Sequence, residues 1–334
     1  MKWCVIGAGG IADRRTIPAI LKDEKSQLVA VMDRVKETAE RIGNKYNVVY
    51  FTDEETMLKS IDCDAVYIGT PVFSHYNQAM LALKYGKHVF VEKPIAMNVK
   101  EGEELANAFK KAGKLLCVGY MMKYHNLHEK AKRIVKSGGI GAVNDVRAQF
   151  SCWYPEIKGA WRQNKSLGGG GAVMDLGVHC IELIEDLLDE EIVDVKAFYS
   201  TKTFSYEVDD GAVIIFKTKS GTLGHIDVNF NIPDNASESK LELYGDKGYV
   251  VCTGTLAQEE KGKLCHLYSP QGEYVAAQNR TTDKPEEYLG EDGNLYLKQI
   301  IFFRENIESG KLDYFYTDRA VQVQKIVEKI YNEN

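Results

Sequence analysis

No stretch of the 334-residue chain is apolar for long enough to cross a membrane. The longest such run, residues 3–12, has ten residues, three of them glycine, against the 18 or more that a spanning helix needs. Lys2 precedes this run as a basic residue precedes a secretory leader. Asp13-Arg14-Arg15 stands where small residues would mark a cleavage site, so no leader is expected. A twin-arginine reading of Arg14-Arg15 also fails, because the segment behind it is short and ends at Lys22-Asp23-Glu24-Lys25. The seven cysteines are odd in number and include no C-x-x-C pair. They lack the pattern of a disulfide framework or a zinc knuckle and suit reduced thiols in a cytoplasmic protein. An excess of positive charge is missing too. Lys and Arg total 42 against 48 Asp and Glu, a formal charge of −6. Residues 1–122 carry 17 basic and 15 acidic side chains (+2), and residues 123–334 carry 25 and 33 (−8). Neither half has the basic footprint of a nucleic-acid binder, so nucleic acid is not expected as a partner. Internal repeats and low-complexity tracts are absent, and residues 168–171 are the one homopolymer of note, four glycines.

What is present is ordinary globular composition, 44% hydrophobic and 27% charged, over a length that suits two domains. In residues 1–122, short continuous apolar runs at 2–6, 28–32, 48–51, 65–68, 88–91 and 115–118 read as strands buried on both faces. Amphipathic stretches at 11–21, 36–46, 54–60, 74–85 and 99–112 read as the helices between them, with Gly86 placed as a helix-terminating glycine. Alternating strand and helix predicts an α/β, doubly wound parallel sheet of the Rossmann type. After residue 122 the pattern changes. A helix is expected at 126–135, a strand at 143–153 and a helix at 175–188. Several strands follow to about residue 251, with 213–218 and 222–229 flanking Lys219-Ser220-Gly221 as a hairpin. Two closing helices are expected at 296–309 and 318–331. Residues 123–334 therefore read as an α+β domain with an open, mostly antiparallel sheet.

Three motifs carry chemistry. Gly7-Ala8-Gly9-Gly10-Ile11-Ala12 lies at the first strand-to-helix turn and matches G-x-G-x-x-A. Such a turn lets backbone N–H groups and a helix N-terminus meet a pyrophosphate. Asp33 ends the next strand 21 residues past Ala12, a spacing that suits a carboxylate accepting both ribose hydroxyls of a dinucleotide. A carboxylate there repels a 2′-phosphate and favours NAD over NADP. Arg34, next to it, could stack on adenine, pair with that phosphate or stay solvated. Glu92-Lys93-Pro94 follows the fifth strand, which places Lys93 where a nicotinamide ring would lie. In the third motif, Gly169 to His179, Asp175 and His179 are four residues apart on one helical face. The glycines before them would let substrate or cofactor approach. No third ligand stands at a telling spacing, so no metal is expected there. His125-x-x-His128, beside Lys123, Glu129, Lys130 and Lys132, reads as a solvated helix face instead of a metal pair.

Together, G-x-G-x-x-A, E-K-P and G-G-G-x-x-x-D-x-G-x-H resemble the glucose–fructose oxidoreductase / inositol dehydrogenase family (Gfo/Idh/MocA). Thr70-Pro71 with His75, Gly86-Lys87-His88-Val89 and Val208-Asp209-Asp210-Gly211 extend the resemblance over essentially the whole chain. It implies a Rossmann domain (residues 1–122) that binds NAD or NADP. Gly7, Gly9, Gly10, Ile11, Ala12, Asp33, Arg34, Thr70, Pro71, His75, Glu92 and Lys93 would make up that cofactor site. It implies a second domain (residues 123–334) that binds substrate and often makes the subunit contact, here a homodimer or homotetramer. Lys93 would contact the nicotinamide and the reacting hydroxyl, Asp175 would hold substrate and His179 would move the proton. Trp161-Arg162 resembles a pair near the substrate in reductases of the family that usually favour NADP and lack an acid at the position of Asp33. Val72 and Glu182 depart from the Asn and Asp that many members carry.

The expected activity is hydride transfer between NAD(P) and a sugar, anhydrosugar or polyol, interconverting alcohol and carbonyl. An ordinary imidazole pKa near 6.5 would let His179 serve as base in oxidation and acid in reduction. Two alternatives stand beside it. One is a non-catalytic regulator sensing NAD(P) or sugar, whose mark would be a broken Lys93–Asp175–His179 set. The other is a dehydrogenase of a non-sugar substrate such as a dihydrodiol.

Overall fold

A computed structural model describes residues 1–274, 276, 283–291 and 293–333. They form two compact units, neither continuous in sequence. Residues 1–120, 159–169 and 296–328 make the first, and residues 121–158, 170–295 and 329–334 the second.

The first unit holds six strands: β1 (Lys2–Ile6), β2 (Gln27–Met32), β3 (Val49–Phe51), β4 (Ala65–Ile68), β5 (His88–Val91) and β6 (Leu116–Val118). All pair in parallel in the order β3-β2-β1-β4-β5-β6. The order reverses between β1 and β4, where open α/β sheets gather ligands beyond the strand carboxyl ends. The last four residues of β1 and all of β4 are buried, as the continuous apolar runs require. The crossover helices are α1 (Ile17–Lys22), α2 (Lys36–Tyr46), α3 (Glu54–Ser60), α4 (His75–Lys84) and α5 (Val99–Ala112). Local chemistry sets their ends. Asn98 opens α5 by accepting the Glu101 N–H at 2.9 Å, Glu101 in turn accepts the Met97 N–H at 3.2 Å, and left-handed Gly113 closes it. The helix expected from residue 11 opens instead with a π turn, Ala12–Thr16, before α1.

The second unit holds an eight-stranded sheet. Its strands are β7 (Val143–Ser151), β8 (Ile192–Ser200), β9 (Gly211–Thr218), β10 (Leu223–Asn229), β11 (Lys240–Gly245), β12 (Gly248–Thr253), β13 (Lys263–Tyr268) and β14 (Glu286–Leu289). They run in the order β14-β13-β12-β11-β7-β10-β9-β8. Every neighbouring pair is antiparallel except β7 and β10, and β9–β10 is the expected hairpin. Two helices, α6 (Asn126–Lys136) and α7 (Val178–Leu188), pack together on this unit. Alternation splits the strands: Ala212, Ile214 and Phe216 of β9 are buried, while Val213 and Ile215 are more than half exposed. Phe198, opposite Val213, is 88% exposed, and Leu223 extends the same apolar face.

The boundary expected after residue 122 marks only the first crossing of the chain. Trp161 and Arg162 belong to the first unit, and so does the stretch 296–328, with most of α8 (Leu295–Glu308) and α9 (Phe315–Asn332). Core packing is the reason. Phe303 of α8 is fully buried, with its ring 5.2 Å from Trp3 of β1 and 5.5 Å from Phe90 of β5. Beside it the Arg304 guanidinium donates to Asp23 at 2.8 Å, both almost wholly buried. Against the expectation of no membrane-length apolar segment, one helical run, Lys165–Leu188, has the length and mean hydropathy of a span; 83% of its most apolar window is buried within the protein, as in a core helix.

Candidate active site

The first βα turn and the end of β2 shape a crevice of about 300 Å³, lined by Gly7, Gly9, Gly10, Met32, Asp33, Arg34, Gly69, Thr70, Pro71, Phe73, Ser74 and Gln78. Gly7 has φ +76°, and a Cβ there would stand 2.7 Å from the Thr70 side chain. Only glycine therefore fits between the β1 and β4 ends. Asp33 Oδ2 accepts the Gly9 N–H at 3.3 Å and Oδ1 the Val35 N–H at 3.0 Å, which aims a fixed carboxylate at the crevice. Arg34 lies 3.6 Å from Glu54, its own side chain 68% exposed. The Thr70 hydroxyl donates to Gln78 at 2.6 Å.

Of the residues expected to hold cofactor, Gly7, Gly9, Gly10, Asp33, Arg34, Thr70 and Pro71 come together here. Ile11, Ala12, His75, Glu92 and Lys93 do not line this crevice. Ala12 is fully buried behind the turn. His75 is 1% exposed, with Nδ1 2.9 Å from the Pro94 carbonyl and Nε2 2.9 Å from that of Thr70. It ties the Thr70 loop to the E-K-P loop, and burial depresses its pKa to about 4. Glu92 turns inward and accepts the Tyr67 hydroxyl at 2.7 Å. Burial raises its pKa, against the lowering pull of Tyr67, Lys93 and Arg162. Lys93 precedes a cis peptide to Pro94. Arg162 stacks on the Trp161 ring at 4.3 Å and is close enough to His75 and Glu92 to lower both pKa values. Met32, Gly69, Phe73, Ser74 and Gln78 were not anticipated in the crevice; an aromatic residue two positions past Pro71 was the sequence signal for Phe73.

In the second unit, a π turn, Val173–Gly177, precedes α7, so Asp175 lies in the wide turn and His179 in the first turn beyond. π turns recur at functional sites, and this chain has one at each motif helix. His179 is 5% exposed and meets the Phe150 ring edge to face at 6.5 Å. Glu182, one turn further, takes an ion pair from Lys123 at 2.7 Å, both nearly buried. The solvated face expected for His125 and His128 is overturned: they are 0% and 1% exposed, with rings 4.9 Å apart. His125 faces the Lys261 carbonyl and accepts the Leu127 N–H, and His128 lies 2.8 Å from both the Met122 carbonyl and the Thr255 hydroxyl. These partners occupy the ring nitrogens that a metal would need. Among the described residues no group of three His, Cys, Asp or Glu could hold a metal, and no disulfide forms.

A parallel sheet of this order, with a glycine-built crevice at its switch point, is the architecture of a dinucleotide-binding domain. Residues 1–120 match the family model of the oxidoreductase family with an NAD-binding Rossmann fold, and residues 128–251 match the GFO/IDH/MocA C-terminal domain. The chain belongs to the Gfo/Idh/MocA oxidoreductases. It is 25% identical over 274 residues to 1,5-anhydro-D-fructose reductase of Ensifer adhaerens, covering 81% of each chain. It is 35% identical over 189 residues to scyllo-inositol 2-dehydrogenase (NADP(+)) of Bacillus subtilis, covering 54% of this chain and 56% of that one. Among solved structures, aldose-aldose oxidoreductase from Caulobacter crescentus superposes with a TM-score of 0.87 at 24% identity, over 99% of this chain and 96% of that one. The last likeness shows the fold.

Proposed function

We propose that this chain interconverts an alcohol and a carbonyl on a sugar, anhydrosugar or polyol, with NAD(H) preferred over NADP(H). The Asp33 carboxylate, held by two backbone N–H groups at the crevice, carries the cofactor half of this reading. The named relatives support the substrate class. A nicotinamide bound to this unit supplies the acceptor or donor of hydride. The glycine turn suits a pyrophosphate, since Gly7 and Gly10 have positive φ and the exposed Gly10 opens the helical run behind the crevice. In the assigned roles, His179 takes the hydroxyl proton during oxidation and returns it during reduction. Asp175 binds substrate hydroxyls, and the Lys93 ammonium stabilises negative charge developing on the reacting oxygen. Trp161 and Arg162 present a stacked, cationic face suited to a polyhydroxylated ring.

The test is a turnover screen of 1,5-anhydro-D-fructose, scyllo-inositol, a methyl D-glucoside and a dihydrodiol, with NAD(H) and NADP(H) in separate arms. Turnover of a sugar or polyol with lower KM for the NAD couple is expected. Asp33→Ser should narrow the difference between the two couples by about tenfold. Turnover confined to the dihydrodiol, or a lower KM for the NADP couple, would replace the reading.

The exposed apolar side chains Phe198, Val213, Ile215 and Leu223 on one face of the second unit's sheet support a homodimer or homotetramer through that sheet. Light scattering at micromolar concentration should return a multiple of 37.5 kDa, and the monomer mass would refute the assembly. The odd set of seven cysteines, five of them buried, supports placement in the reducing cytoplasm.

A further inference from the structure

We propose that Asp209 and Tyr331 are positioning residues that fix the proton-transfer helix α7 through the start of the π turn that leads into it. The proposal rests on the reading that His179 transfers a proton. A helix begins with N–H groups that have no partner inside the helix. Here one residue takes three in succession. Asp209 Oδ1 accepts the Gly171 N–H at 2.9 Å, its Oδ2 accepts that of Val173 at 2.9 Å, and its carbonyl accepts that of Ala172 at 3.0 Å. The Asp175 N–H then bonds back to the Gly171 carbonyl at 2.9 Å, so the substrate-binding aspartate sits one bond removed from the anchor.

Asp209 is 5% exposed, and a carboxylate this enclosed needs every acceptor site used. Tyr331 completes it by donating its hydroxyl to Oδ1 at 2.7 Å. Burial and the adjacent Asp209 charge hold the phenol pKa well above 10, so it remains a donor. The Tyr331 ring meets Tyr199 edge to face at 5.3 Å, and Lys329 in the same helical turn donates to Asp194 at 2.9 Å.

This arrangement also gives the glycine run a cause. A Cβ on Gly171 would stand 1.9 Å from the Asp209 carbonyl oxygen, and one on Gly170 would stand 2.2 Å from the Tyr331 hydroxyl. The run thus makes room for the protein's own anchor, where the sequence alone suggested room for a ligand. Asp210, the neighbouring acid, serves a different loop: its carboxylate accepts the N–H groups of Lys202, Thr203 and Phe204. The Val208-Asp209-Asp210-Gly211 motif therefore divides its two acids between two segments.

The test compares Asp209→Asn, Tyr331→Phe and His179→Asn with the unaltered full chain. It measures turnover of whichever of 1,5-anhydro-D-fructose or scyllo-inositol reacts, NADH affinity by fluorescence, circular dichroism, and ¹⁵N resonances of the imidazoles. Asp209→Asn puts an amide N–H against a backbone N–H, and should lower kcat by about 10- to 100-fold, the cost of roughly 1 Å of misplacement. Tyr331→Phe removes one hydroxyl and should lower kcat by about 3- to 10-fold, one buried hydrogen bond's worth. Both should shift the His179 resonances, leave those of His75 in the other unit in place, and keep NADH affinity within about twofold. Folded variants with unaltered kcat and unmoved His179 resonances would overturn the proposal. If Asp209→Asn fails to fold, Tyr331→Phe decides alone. Full turnover by His179→Asn would instead remove the proton-transfer reading, and this inference with it.

Discussion

His179→Asn is expected to lower kcat by roughly two to four powers of ten, the usual worth of a positioned acid–base group. Asparagine keeps much of the volume and the polarity at a site that is 5% exposed and backed by Phe150, so the fold should persist. NADH affinity should stay within about twofold, because the crevice of Gly7, Asp33 and Thr70 lies wholly in the first unit. Asp175→Asn should fall between wild type and His179→Asn, since an amide still binds hydroxyls. Lys93→Ala is a less direct probe, as it also alters the loop that His75 holds through Pro94. Steady-state kinetics beside NADH fluorescence measure the split. A folded His179→Asn protein that binds NADH and keeps most of its kcat would defeat the proposed mechanism while leaving the family assignment in place.

Mild acid should destabilise the protein through its buried histidines. His75 and His128 are each 1% exposed, with pKa values depressed to about 4 and about 3, first of all by burial. In the unfolded chain each titrates near 6.5. Above that pH both states are neutral, and the histidines make no pH-dependent contribution. As pH falls below 6.5 the unfolded chain binds protons that the native one refuses, so stability declines. Each group costs about 1.4 kcal/mol per pH unit until its native pKa is reached. By pH 4.5 the two together remove a few kcal/mol, a sizeable part of the stability of many domains. Glu92, its pKa raised by burial, opposes this, since its protonation relieves a cost as pH falls. Asp13 and Asp23, with lowered pKa values, contribute stability above their unfolded pKa near 3.8, so its loss begins at lower pH. Urea midpoints at pH 7.0 and 4.5 should differ strongly, and His128→Gln should flatten the slope. Equal midpoints would show that these histidines take up protons in the native state.

The parallel sheet was legible in the sequence almost to the residue. β1, β4 and β5 have the expected bounds, because strands covered on both faces leave short continuous apolar runs bounded by turn residues. Gly7, Gly9 and Asp33 were legible for a related reason: turn geometry and one crossover's length fix their spacing. Residues whose roles depend on side-chain direction were not. His75 and Glu92 lie beside motif residues yet turn into the core, and E-K-P says nothing of Tyr67 waiting behind it. His125 and His128 looked solvated because lysines surround them in sequence. On a helix the next residue points about 100° away, so those lysines say little about the histidine face. The assignment of Trp161, Arg162 and residues 296–328 to the second domain failed because packing across three hundred residues leaves no local trace.

The place of Phe303 bears on how the chain is made. Trp3 is synthesised 300 residues before Phe303, the ring that covers it. Until then β1 and β5 keep an aromatic surface open, although all six strands of their sheet are already present. Domains that are continuous in sequence can close as they emerge; this one cannot, because α8 supplies late the ring that covers a core begun by β1. A fragment ending near residue 122 would hold the entire nucleotide crevice and still lack the side chain that shields Trp3 and Phe90 from water.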